Sequence, residues 1–296
     1  MKLTERNKGI LCIIMAAFFF SLMTVFVRLA GDLPTMEKVL FRNLVAAIVS
    51  FGMLMKSREK VILDKTNYID LFLRAFFGTS GMICNFYAID HLNISDANLL
   101  NKLSPFFAIL MSIFILKEKV HKLEWLAVII AFSGALLVIK PGFSMTSGPA
   151  FIGLLGGFGA GMAYTFVRKL GKNGVKGPII VFFFSLFSTV VTFPFFIIQY
   201  KPLSISQLVI LLLAGISATG GQLSITAAYT HAPAKEISVY DYTQVIFAAI
   251  WGFLLFDQIP DILSFMGYLI ILFATIIKFL YNKNKGNCSE PLMGSD

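Results

Sequence analysis

Charge is scarce in this sequence: Asp, Glu, Lys and Arg make up 14% of its 296 residues, where a soluble chain carries about a quarter. With 57% of the residues hydrophobic and a mean hydropathy of +0.80, too little polar side chain is left to clothe a water-soluble fold of this length. Cysteine is scarce as well. Cys12, Cys84 and Cys288 are odd in number and fall in two apolar runs and a polar tail, which excludes a disulfide framework and any metal-ligand spacing. The histidines His91, His121 and His231 lie near the ends of apolar runs, without the spacing of a zinc site. Neither a Gly-Lys-Ser/Thr phosphate loop nor a nucleophile elbow is present, so the chain reads as a non-enzyme without a cofactor. The formal charge of +9 is spread over short connections instead of gathered on one face among aromatics, which argues against nucleic acid as a partner.

What the sequence has in abundance is long apolar runs. Crossing the hydrocarbon of a bilayer takes about 20 apolar residues in a helix, and ten stretches meet that length: Gly9 to Leu29, Glu37 to Met55, Ile69 to Ile89, Ile94 to Leu116, Leu123 to Ile139, Pro149 to Leu170, Pro178 to Gln199, Gln207 to Tyr229, Ile237 to Phe256 and Ile262 to Tyr281. Most of the 25 lysines and arginines fall on the side of the N-terminus. Only Arg28, Lys38, Lys140 and Lys201 fall on the other, and Arg42, Arg74 and Lys102 lie inside spans. Positive loops stay in the cytoplasm, so both termini are placed there and the lipid bilayer of a cell membrane is the expected solvent. Residues after Lys285 read as a short disordered tail.

The chain also repeats itself at an offset of 140 residues. Phe26-Val27-Arg28 matches Phe166-Val167-Arg168, Gly81 matches Gly221, Phe107-Ala108 matches Phe247-Ala248, and Leu116 to Val120 matches Phe256 to Pro260. The domains are accordingly drawn at 1–140, 141–282 and a tail of 283–296. Five spans per half is an odd number, so the second half inserts upside down. Inverted repeats of this kind build secondary transporters, with the substrate site near the midplane.

Phe41-Arg42-Asn43, Leu103-Ser104-Pro105-Phe106-Phe107-Ala108 leading to Leu116-Lys117-Glu118-Lys119, and Tyr242-Thr243-Gln244-Val245-Ile246-Phe247-Ala248-Ala249 leading to Phe256-Asp257-Gln258-Ile259-Pro260 resemble the drug/metabolite transporter superfamily, in its ten-helix EamA type. The resemblance runs from about Gly9 to Tyr281. It departs from the family at Lys117-Glu118 and Asp257-Gln258, where Gly-Glu is usual, so the second acid is lost at Gln258. The resemblance implies an all-α integral membrane fold of ten helices around a central cavity, working as a monomer or homodimer. It implies movement of solutes by alternating access without ATP; the expected substrate is a small zwitterionic or cationic metabolite such as an amino acid, amine or nucleobase-like compound, with protons or a counter-substrate as candidate coupling partners. A channel-like or receptor-type membrane protein is the alternative.

Polar side chains inside a span are costly unless they face protein or water, so each is a site candidate. In the fourth span Asn98, Asn101, Lys102 and Pro105 recur at i, i+3, i+4 and i+7 and share one face. In the ninth, Asp241 and Gln244 share a face flanked by Tyr240 and Tyr242, and Asp241 aligns with Asn101 at the offset of 140. At 1.5 Å per residue the depths predict roughly 10 Å between Lys102 and Asp241 along the membrane normal. That gap suits a zwitterion, its carboxylate toward Lys102 and its ammonium toward Asp241. A structural pair and a protonatable Asp241 are the blander readings. Gln222, Thr226 and Tyr229 line one face of the eighth span, and Arg74, Gly78, Gly81 and Asn85 one face of the third, with packing and cavity lining both open. Arg74 is expected to snorkel to the near surface, and Arg42 to form a structural ion pair with Asp96. Gly153, Gly157 and Gly161, with Tyr164 one turn on, predict close helix packing. The phenylalanine-rich seventh span is expected to face lipid or a neighbouring helix.

Overall fold

The computed structural model describes residues 4–57, 64–91, 100–139, 147–257 and 261–287. These form ten helical elements and no strand: α1 (Glu5–Leu29), α2 (Thr35–Ser57), α3 (Lys65–His91), α4 (Ser104–Leu116), α5 (Lys122–Ile139), α6 (Ser147–Lys172), α7 (Gly177–Gln199), α8 (Ile205–His231), α9 (Ala234–Phe256) and α10 (Ile262–Asn287). Asp96, Asn98, Gln258 and the tail from residue 288 lie outside the described residues. Seven of the ten, α1, α2 and α6 to α10, are long and apolar enough to cross a membrane. Helix α3 carries Asp70 and Arg74 along its length, and α4 is described over 13 residues. Large apolar side chains face outward around the bundle, among them Val190, Ile198, Ile216, Leu254 and Phe273. A belt of that size suits acyl chains and would be a liability in water.

Local signals set the helix ends. Thr4 caps α1 by accepting from the Asn7 N–H at 3.3 Å. A capping box starts α8, in which the Ser204 hydroxyl accepts from the Gln207 N–H and the Gln207 amide oxygen accepts from the Ser204 N–H. Pro178 sits in the first turn of α7, where its missing N–H costs nothing. Helices α4 and α9 end alike. Lys117 and Asp257 both adopt the left-handed conformation, at φ 54° and 50°, and their N–H groups bond to the carbonyls of Ser112 and Gly252. Both pairs of residues are 140 apart, so the repeat read from side chains is also a repeat of backbone geometry.

Helix pairing carries the same symmetry. The most extensive contacts join α1 to α8 and α3 to α6, and exchanging the halves turns one pair into the other. Helices α2 with α7 and α5 with α10 each map onto themselves, while α4 with α6 maps onto α9 with α1. This is a pseudo-twofold arrangement of two five-helix repeats, inverted because each holds an odd number of spans. The first half thus has its strongest packing against the second.

The α3/α6 crossing is among the closest in the bundle. A Cβ on Gly159 would lie 2.7 Å from the Cα of Gly81 and 2.8 Å from the Phe77 carbonyl oxygen, and one on Gly156 would lie 3.0 Å from the Asn85 backbone nitrogen. The glycine ridge read from the sequence packs against a different neighbour. Gly153, Gly157 and Gly161 lie against Leu100 and Phe107 of the fourth-span segment, so α6 is flanked by α3 on one ridge and α4 on the other. In α7, Phe184 is buried, while Phe193 and Phe195 face outward.

Candidate functional site

The fourth and ninth spans are not continuous α-helices. Leu100 and Asn101 are helical, Lys102 and Leu103 form a turn, and α4 restarts at Ser104 with Pro105 in its first turn. In α9 the α-helix runs from Ala234 to Ile237, tightens to a 3-10 helix over Ser238–Tyr242, and resumes at Thr243. The 3-10 stretch of α9 ends at Tyr242, 140 residues beyond the turn at Lys102. Irregular backbone at depth is tolerated only where protein or a polar cavity satisfies its freed groups, and broken helices in corresponding positions mark the binding region of inverted-repeat carriers.

Lys102 fills the junction between the two breaks. Its ammonium donates to Asp241 Oδ2 at 3.0 Å, to Gln244 Oε1 at 2.8 Å and to the Asp241 carbonyl at 3.5 Å. An ammonium has three N–H donors, and all three find acceptors on α9. In return the Tyr242 hydroxyl donates to the Lys102 carbonyl at 2.9 Å, and Lys102 and Tyr242 are themselves repeat partners. The lysine and aspartate side chains are each 11% exposed, so the pair is shielded from solvent. The gap of roughly 10 Å read from the sequence is therefore closed: that depth count treated both segments as continuous helices rising 1.5 Å per residue, and the breaks together with the long lysine stem undo it.

Around this pair lie the other polar side chains. Tyr164 of α6 stacks on Tyr229 of α8 with ring centroids 4.8 Å apart and planes 11° apart, and the Tyr229 hydroxyl meets Ser238 Oγ at 3.4 Å. Arg74 does not snorkel. It is buried, donates to Gln222 Oε1 at 3.3 Å and lies with its guanidinium carbon 4.1 Å from the Phe184 ring centroid. Gly78, one turn on, makes the room, since a Cβ there would collide with the Arg74 guanidinium and Phe184. Arg42 is half-buried, donates to Met82 Sδ at 3.1 Å and faces the Phe20 ring at 6.0 Å.

The structure thus brings Lys102, Asp241 and Gln244 into direct contact, stacks Tyr164 on Tyr229, and joins Gln222 to Arg74. Asn85 is half-buried with its Oδ1 unpartnered, and Asn101 stands half-buried in the residue before Lys102. Tyr240 is separate: its hydroxyl is buried without a hydrogen-bond partner among the described residues. Of the two tyrosines read from the sequence as flanking Asp241, Tyr242 is the one bonded to the Lys102 carbonyl, and the offset of 140 from Lys102 is the signal that distinguishes it.

The end of the bundle that carries the N-terminus is tied across the repeats by ion pairs and hydrogen bonds. Lys169 meets Asp70 at 2.8 Å, Lys172 and Arg168 meet Glu118 at 2.8 and 3.6 Å, and Lys278 meets Glu124 at 3.5 Å. His231 meets Glu5 at 2.6 Å, Asn173 donates to Asn67 at 3.0 Å and Lys235 donates to the Lys119 carbonyl at 2.5 Å. At the opposite end Lys201 donates to the Asp32 carbonyl at 3.4 Å and Gln207 to that of Ala30 at 3.3 Å. Beside them lies an open concavity of about 440 Å³ lined by Asp32, Pro34, Thr35, Gln199 and Lys201.

Comparison with known proteins bears on this arrangement. The model of a family described as "EamA-like transporter family" matches twice, over residues 7–140 and 148–280. The "Pseudopaline exporter CntI" of Pseudomonas aeruginosa is 31% identical over 279 residues, covering 93% of this chain and 97% of that protein. "Solute carrier family 35 member G1" of Mus musculus is 27% identical, covering 90% and 77%, and an "Uncharacterized transporter" of Helicobacter pylori is 26% identical, covering 91% and 93%. A solved crystal structure matches with a TM-score of 0.79 at 13% identity over 93% of this chain and 99% of that one, which shows a shared fold.

Proposed function

Because the chain belongs to the EamA-like transporter family, we propose that it is a gradient-driven carrier that moves a small zwitterionic metabolite of the amino-acid type by alternating access. Its relatives are transporters, one of them named as an exporter, and a multi-pass membrane protein with a small-molecule substrate follows from the family. The observation that carries the finer reading is the Lys102–Asp241 pair, which bridges the two repeats at their breaks. An empty carrier has to avoid two hazards: a naked charge at depth, and free rocking that dissipates the gradient. Lys102 answers both by neutralising Asp241 while pinning α4 to α9. The substrate ammonium then takes over Asp241, Lys102 is released, and the halves 1–140 and 141–282 are free to rock about the pseudo-twofold axis. A purely cationic substrate would compete with Lys102 and bring no anion to receive it, which favours a zwitterion.

In this reading the ion pairs from Asp70 and Glu118 to α6 close the cytoplasmic mouth, and both termini are cytoplasmic. Single cysteines placed at Lys8 and at Lys285 in a cysteine-free background are expected to resist a membrane-impermeant maleimide in intact cells and to react once the membrane is opened. Reaction of either in intact cells removes the assigned orientation. For transport itself, purified full-length protein is screened by thermal shift against amino acids, amines and nucleobases, and the strongest stabiliser is taken into counterflow in liposomes. Saturable uptake accelerated by unlabelled substrate inside is expected. Flux that rises linearly with concentration and ignores the internal solute would show a channel instead.

A further inference from the structure

Two guanidiniums at the site are left over by the carrier scheme. Arg42 lies seven residues into α2 and Arg74 nine residues into α3, about 10 and 13 Å along helices that start at opposite ends of the bundle. Both are therefore deep, and a charged side chain at depth persists only with a partner or a function. Among the described residues neither has a carboxylate within ion-pair distance. Arg74 gives one N–H to Gln222 and its flat face to Phe184, and Arg42 gives one N–H to Met82 sulfur with the ring of Phe20 nearby. The Nε of each is buried without an acceptor. A guanidinium has five N–H donors in one plane. Stacking uses its face and leaves its edge open to an in-plane acceptor. Both line α3, Arg42 docked on Met82 and Arg74 bonded to Gln222 of α8, the helix whose Tyr229 stacks on Tyr164 and meets Ser238 in the α9 break, so they border the same interior region as Asp241.

The charge there is unbalanced. Arg42, Arg74 and Lys102 supply three positive charges and Asp241 one negative, with no other described carboxylate paired to them. Lys102 is fully engaged on α9 and has no donor left for a substrate. A neutral zwitterion would leave the excess standing.

Resting on the carrier reading above, we infer that Arg42 and Arg74 form the anion subsite of the carrier, and that its substrate bears two carboxylates, one for each guanidinium. Planar forks match planar carboxylates in two parallel bonds, and the 12 Å or so along α3 between Arg74 and Met82, where Arg42 docks, leaves space for a short carbon chain between the two groups. Asn85 Oδ1, buried without a donor, and Asp241 are the acceptors available to an ammonium on that chain.

The experiment uses full-length protein in liposomes with glutamate, succinate, alanine and inorganic phosphate as probes. Counterflow is expected with glutamate, and thermal stabilisation with both glutamate and succinate, whose missing ammonium leaves Lys102 on Asp241; neither is expected with alanine or phosphate. Arg74→Gln and Arg42→Gln, each monodisperse in detergent, are expected to raise the half-saturating concentration about tenfold or more, and the double variant is expected to accept alanine. Equal handling of alanine and glutamate by the unaltered protein would overturn the inference and leave the carrier intact. Preference for phosphate would overturn it too, as would Arg42→Gln regaining full affinity when Asp96→Asn is added, because Arg42 would then be serving a structural pair. Absence of counterflow with the panel's best stabiliser strikes at the carrier reading itself.

Discussion

Replacing Asp241 by asparagine is expected to abolish transport and to destabilise the fold by about 3 to 5 kcal/mol, the cost of stranding one member of a buried ion pair. The shape of the side chain hardly changes, and an amide oxygen still accepts from the Lys102 ammonium. What disappears is the countercharge, in a position 11% exposed. Counterflow should fall at least a hundredfold, and the apparent melting temperature in detergent should drop with it. Adding Lys102→Met removes the stranded cation, since neutral groups of similar volume often replace a buried pair without loss. The double variant should regain the melting temperature and still fail to transport. That split separates a working pair from a merely structural one: a structural pair would recover both properties together. Retention of both in Asp241→Asn alone would show that the pair contributes to neither.

Much of the fold can be read from the sequence because the bilayer reduces it to one variable, the length of apolar runs. The observed helices overrun the predicted spans at their polar ends, as α1 does at Glu5 and α8 at Ser206, since a helix does not stop where the hydrocarbon stops. The offset of 140 was equally legible and reappears in the left-handed caps at Lys117 and Asp257. The breaks were not. Asn98 to Pro105 reads as an unbroken helical face, and nothing in Tyr240-Asp241-Tyr242 marks a 3-10 turn, so the distance from Lys102 to Asp241 came out too long. Arg74 was misjudged for a related reason. Counted from Ile69 it lies near the membrane surface, but packing and not depth decides where it points, and the guanidinium is enclosed between Gln222 and Phe184. The hollow that receives it is set by Gly78 and Phe184, residues that look like ordinary membrane filler until the helices are packed.

The α3/α6 crossing should be one of the least forgiving places in the molecule. A methyl added at Gly159 meets only backbone, the Cα and nitrogen of Gly81 and the Phe77 carbonyl, and backbone inside two packed helices cannot step aside. Its counterpart across the pseudo-twofold is the α1/α8 crossing, where a methyl on Gly220 meets ring atoms of Phe19 at 2.9 to 3.0 Å. A phenylalanine can turn about χ1 and χ2 and a helix backbone cannot. Gly159→Ala is therefore expected to cost about 3 kcal/mol, the upper end of ordinary overpacking, and Gly220→Ala about 1 kcal/mol. Gly159→Leu should fail to yield monodisperse protein, since the added bulk forces the two helices apart along most of their shared length and carries Tyr164 away from Tyr229. Membrane-protein unfolding is commonly irreversible, so the comparison is made as apparent melting temperatures at one scan rate. Equal losses for the two alanine variants would mean that α3 and α6 can slide apart as readily as a side chain can rotate, and the close approach would then be a hinge for rocking instead of a fixed axis.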